Sequence, residues 1–139
     1  MKKEKQFDID FYTNSNGEQP VKQFLKELRV KKNTDKKSRV LFNKTMAYID
    51  KLCEEGTIIG EPFVKKLDDE IWELRPLNLR ILFVNHEGKI YLLLHHFTKT
   101  TGKTPPHELK QAKSNFSDHK ERIKKSWVQN GRNLEIALS

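Results

Sequence analysis

Ile90-Tyr91-Leu92-Leu93-Leu94-His95-His96-Phe97 is the stretch whose reading decides the fold. Successive side chains of a strand point to opposite faces, so a run that is apolar on both faces belongs inside a sheet covered on both sides. The rest of the chain has to supply the neighbours and the covers. Residues 6–13 alternate, with Phe7, Ile9 and Phe11 opposed to Asp8, Asp10 and Tyr12, which predicts a first strand with one wet face. Asn14-Ser15-Asn16-Gly17 breaks that pattern, and Pro20 stands where a first helical turn tolerates a missing donor. Val21, Phe24, Leu25 and Leu28 then recur at helical spacing, giving a short amphipathic helix that ends near Arg29.

Lys31-Lys32-Asn33-Thr34-Asp35-Lys36-Lys37 reads as a connection, with Asp35 or Ser38 able to cap the next helix. That helix, over 37–55, places Leu41, Thr45, Tyr48, Ile49 and Leu52 along one side. After Gly56 and Gly60 come short extended pieces at 63–67, 71–77, 79–85 and 90–98. Asp68-Asp69-Glu70 and a hairpin loop, His86-Glu87-Gly88-Lys89, separate them. Thr104-Pro105-Pro106 opens a last helix with Leu109, Ala112, Phe116, His119 and Ile123 on one stripe. Residues 127–139 show no clear periodicity and read as an extension or tail. The expected class is α+β: a small, mostly antiparallel sheet of four to five strands, two N-terminal helices on one face, and a C-terminal helix beside it.

At 139 residues the chain fits one domain, 1–139. Apolar residues make up 35% and charged ones 33%, so much of the surface is ionic. No apolar run approaches the roughly 20 residues that span a bilayer, and no apolar stretch stands behind Met1-Lys2-Lys3-Glu4-Lys5. A cytoplasmic protein without membrane association is expected. The single cysteine, Cys53, excludes an intrachain disulfide and a paired-cysteine zinc site, and neither metal nor cofactor is called for. The formal charge of +8 favours an acidic partner. Its distribution is uneven: residues 22–44 hold nine Lys or Arg against two acids, and 99–125 hold eight against three, while 45–75 hold four against eight. Such clustering suits the gripping of phosphates.

Ile71-Trp72-Glu73-Leu74-Arg75, then Arg80-Ile81-Leu82-Phe83, then Leu92-Leu93-Leu94-His95-His96-Phe97-Thr98-Lys99-Thr100 and Lys103-Thr104-Pro105 before a basic helix, form a recognisable series. Together with the element order, the series resembles the RelE/ParE toxin superfamily. It looks most like the HigB-like branch described as phage-derived toxin-like proteins, over residues 63–112. The resemblance implies the toxin of a type II toxin-antitoxin pair, a ribosome-dependent mRNA endonuclease. Its implied partners are the ribosome, mRNA and a cognate antitoxin, commonly HigA-like with a helix-turn-helix. A ParE-like gyrase inhibitor without catalysis and a plain RNA-binding module are the other functions considered. The chain also departs from the pattern. Thr100 replaces a lysine, and His96 a glycine. Where RelE-type catalysts carry lysines on the strand before the arginine hairpin, the alternating positions are Ile71 and Glu73, and no tyrosine follows Tyr91.

Metal-free RNA cleavage needs a base for the 2′-hydroxyl, an acid for the leaving oxygen, and cations for the phosphorane-like charge. Arginine serves the last role, because its guanidinium stays charged and meets phosphate with two parallel bonds. A hairpin across 74–80 would put Arg75 and Arg80 on adjoining strands, with Lys99 and Lys103 completing a cationic cluster. His95 and His96 are acid-base candidates, but neighbours on a strand face opposite ways, so at most one joins a given site. Lys110 and Lys113 are expected RNA contacts. Trp72 is expected either to stack on a base or to fill the core.

Overall fold

A computed structural model describes the backbone of residues 3–138 and the side chains of residues 3–128 and 138. Its elements, in chain order, are strand β1 (Asp8–Phe11), helices α1 (Pro20–Lys31) and α2 (Lys36–Glu55), a single 3-10 turn (Thr57–Ile59), strands β2 (Val64–Lys66), β3 (Trp72–Leu74), β4 (Leu79–His86) and β5 (Ile90–Thr98), and helix α3 (Pro106–Leu138). The five strands form one sheet in the order β1-β5-β4-β3-β2. Only β1 and β5 run parallel. The expected α+β class therefore holds, with the doubly apolar stretch as an interior strand.

Alternation along β4 and β5 divides the interior into two cores. Ile81, Phe83, Tyr91 and Leu93 join Val21 and Leu25 of α1 and Leu52 of α2 on one face. Leu82, Val84, Leu92 and Leu94 join Ala112 and Phe116 of α3 on the other. The last helix thus lies across the sheet from the first two rather than beside it, which is what a strand apolar on both sides requires. The helix starts follow the sequence. Pro20 opens α1. Asp35 caps α2 by accepting from the Lys37 backbone N–H at 3.1 Å, while the Ser38 hydroxyl donates to its other oxygen at 2.7 Å.

Helix α3 does not stop where its apolar stripe fades. It runs through Leu138, so the expected tail is helical over 127–138, and Ser139 lies outside the described residues. No proline follows Pro106, and a nucleated helix propagates at little further cost. Among the polar ties between α3 and the sheet, two involve Asp118 and Asn115. Tyr12 donates to Asp118 at 2.6 Å. The second tie follows from a bulge in β5: Leu82 pairs with His95 and Phe83 with Leu93, which leaves Leu94 unpaired. The carbonyl of Leu94 is satisfied instead by the buried Asn115 amide, 2.8 Å away.

Gly56 ends α2 at a φ of +79°, and a methyl group there would lie 3.0 Å from the Phe7 ring and 3.2 Å from the Tyr91 hydroxyl. Gly88 has a similar φ of +75° but open space around it. Gly56→Ala should therefore destabilise the fold by about 3 kcal/mol and Gly88→Ala by only about 1 kcal/mol. Urea titration of the two variants measures the difference, and equal losses would refute the packing argument.

Candidate functional site

The α3 face of the sheet is not apolar throughout. Toward the end formed by β2, β3 and the loop after β5, its residues become charged around a cleft of about 240 Å³. Glu73 of β3 forms the floor at 2% exposure. Arg75 and Arg80 converge on its Oε1, with their Nε atoms 3.4 and 3.6 Å away. The Thr104 hydroxyl donates to Oε2. Lys99 and Lys103 reach the cleft from the loop after β5, and Lys65 and Lys66 reach it from β2. Phe97 and Leu109 supply its apolar wall.

The two arginines have different surroundings. Arg80 is 6% exposed, and its Nη1 donates to the carbonyls of Leu77 and Leu79 at 2.7 and 2.9 Å. It ties the β3–β4 turn to the cleft floor. Burial lowers its pKa from the ordinary guanidinium value; Glu73 opposes that shift and Arg75 adds to it. The side chain of Arg75 is 22% exposed, and its Nη1 lies 3.4 Å from Glu61, whose own side chain is largely in solvent. Of the pair, Arg75 is the one free to turn toward a ligand. The loop carrying Lys99 is held too, because the Lys99 backbone N–H donates to Asn78 at 2.8 Å.

The expected cluster of Arg75, Arg80, Lys99 and Lys103 is therefore brought together, and five other candidates stand elsewhere. His95 points toward α3, with its Nε2 2.9 Å from Glu108, and does not line the cleft. His96 points the other way and stacks on Phe24 of α1 at 4.4 Å. Trp72 packs against the α1/α2 core, on the face opposite the cleft, with Lys66 Nζ 6.0 Å from its ring centre. Lys113 is engaged with Asp68 at 2.7 Å. Lys110 is exposed on α3. Lys65, Lys66 and Thr104 were not anticipated. The register Lys65↔Glu73 sets the first of these beside the cleft floor, and that pairing is legible only once β2 and β3 are known to be partners. Cys53 is buried and unpaired, and burial raises its thiol pKa.

A family profile described as phage-derived protein Gp49-like (DUF891) matches residues 34–117. The match covers more than half of the 139 residues and includes α2 and every strand from β2 to β5. The chain belongs to the Gp49-like family. This is a phage-derived, toxin-like family related to the RelE-type toxins, and membership implies a cognate antitoxin. No curated relative matches the chain. Among the described residues of this Gp49-like protein, no helix is long and apolar enough to cross a membrane.

Removing Arg80 would strand the buried Glu73 with half its compensation and free two carbonyls. Arg80→Ala should accordingly cost about 3 kcal/mol of stability, against about 1 kcal/mol or less for Arg75→Ala. Chemical denaturation reads both values, and an Arg80→Ala variant as stable as the parent would contradict the floor geometry.

The histidines give a second expectation. Burial holds the imidazoles of His96 and His119 below their ordinary value of 6.5, with His95 adding to the effect at His96 and His86 at His119. Below pH 6.5 the unfolded chain takes up protons that the folded chain refuses, so stability is full above that pH and declines as pH falls toward the folded-state values. The Tm should drop between pH 7 and pH 5, and His96→Phe, which retains an aromatic ring against Phe24, should flatten the drop. An unchanged slope would show that His96 carries no protonation linkage.

Proposed function

We propose that this protein is the toxin of a type II toxin-antitoxin pair and that it cuts mRNA on the ribosome, with the Glu73 cleft as the place where a phosphodiester is gripped. The observation that supports this reading most is the lining of the cleft: six cations from β2, the β3–β4 hairpin and the loop after β5 surround one carboxylate. Glu73 is already committed to Arg75, Arg80 and Thr104. The lysines at the rim keep their charge for a ligand. A bridging phosphate fits this environment, since guanidinium and ammonium groups stabilise the extra negative charge of a pentavalent phosphorus better than that of the ground state.

Roles follow from exposure. Arg75, Lys99 and Lys103 would contact the phosphate. Arg80, buried and bonded to two carbonyls, would hold the turn and the floor in place. His95 and His96 are carried into no step here, since neither reaches the cleft. The antitoxin in this reading is HigA-like, with a helix-turn-helix.

In vitro translation tests the reading. The wild-type chain should cut ribosome-bound mRNA, Arg75→Ala should cut it about 100-fold more slowly while remaining folded, and Lys113→Ala should match the wild type. Affinity for single-stranded RNA should also fall with salt, with a log-log slope on the order of −3 if most of the rim cations engage phosphates. Undiminished cutting by Arg75→Ala would remove the cleft from the chemistry. RNA binding without any cutting would make the protein a binding module, and stalled replication with intact mRNA would make it a gyrase inhibitor.

A further inference from the structure

On the α1/α2 side of the β3–β4 turn lies a second concavity, a groove of about 530 Å³ between the start of α2 and the turn itself. Val40, Leu41 and Leu77 form its apolar part, and Lys36 and Lys37 stand at its rim. Val40 is 47% exposed and Leu77 49%, and neither belongs to a core cluster. No carboxylate among the described residues pairs with Lys36 or Lys37.

Leu77 is the residue that calls for an explanation. Its φ is +54°, in the left-handed region that glycine and asparagine enter readily and leucine does not. The turn gains nothing from the leucine side chain, which is half in solvent. What the leucine adds is an apolar group projecting from the turn toward Val40.

We propose that this groove docks an acidic, amphipathic segment of a partner protein. An apolar floor with a lysine rim complements a helix whose apolar stripe is flanked by carboxylates. Nucleic acid would satisfy the lysines but offers no apolar stripe to Val40 and Leu77. A second copy seated groove to groove would set lysine rim against lysine rim, in a stretch of net +7 over residues 22–44. The proposal does not rest on the nuclease reading, because the RNA cleft lies on the opposite face of the sheet.

The test is fluorescence anisotropy on the full chain. The probe is a labelled peptide of about 16 residues with leucines at helical i, i+3, i+4 and i+7 spacing and glutamates between them; a scrambled peptide of the same composition is the control. The wild type should bind the probe saturably and at least about tenfold more tightly than the control. Leu77→Asn suits the left-handed backbone and should leave the Tm no lower, yet weaken binding about tenfold. Lys36→Glu with Lys37→Glu should do the same, while Arg75→Ala should leave binding intact, which separates this surface from the cleft. Failure of the wild type to bind, equal binding of the scrambled peptide, or full binding by Leu77→Asn would each overturn the proposal. So would finding that Leu77→Asn loses oligonucleotide binding or self-association in place of peptide binding.

Discussion

A carboxylate at 2% exposure has given up nearly all its water, and Glu73 is tolerated there only because Arg75, Arg80 and Thr104 surround it. That requirement organises the end of the molecule. Arg80 comes from β4, Arg75 from just past β3, and Thr104 from the loop before α3, so one buried charge fixes the relative positions of three segments. The last of these segments also carries Lys99 and Lys103, and β2 adds Lys65 and Lys66. An apolar residue in place of Glu73 would give Arg80 no reason to sit inside the sheet and the loop no polar anchor.

Much of this architecture was legible in the sequence because it rests on periodicity. The doubly apolar run at 90–97 demanded covers on two faces, and the stripes of α1, α2 and α3 supplied them. The seat of α3 across the sheet follows from the same run, although the expectation was two helices on one face of the sheet with the C-terminal helix beside it. The bulge was not legible. It depends on which residues of β4 and β5 pair, and it brings His95 toward α3, leaving His95 and His96 with separate partners. Lys65 and Lys66 are not legible for a related reason: the strand before the arginine hairpin has Ile71 and Glu73 at its alternating positions, and the lysines beside Glu73 lie on β2. Composition marked both basic stretches, but it carried no sign that α1 and α2 would place one on one side of the sheet and α3 the other on the opposite side.

The arginine pair shows how a sequence pattern and a structural role diverge. Two arginines five positions apart across a hairpin look equivalent as a pattern. Burial makes them unequal. Arg80 spends its donors on Leu77, Leu79 and the neighbourhood of Glu73, whereas Arg75 keeps a side facing solvent and the weakly held Glu61. A guanidinium committed to backbone carbonyls positions its surroundings, and one at a rim is available to a ligand.

The β3–β4 turn links the two faces. Its Leu77 carbonyl points inward to Arg80 at 2.7 Å, and its Asn78 carbonyl accepts from Lys99 at 2.8 Å, so one short turn holds a cation on β4 and a cation beyond β5. The left-handed backbone at Leu77 allows that carbonyl to serve the cleft while the side chain faces the α2 groove. Strain of this kind, typically about 1–3 kcal/mol, persists where surrounding contacts over-determine it. Here two hydrogen bonds do so, from Arg80 to the Leu77 carbonyl and from Lys99 to the Asn78 carbonyl. A displacement of the turn would shift Arg80 and Lys99 together, because neither carbonyl can move without releasing its donor.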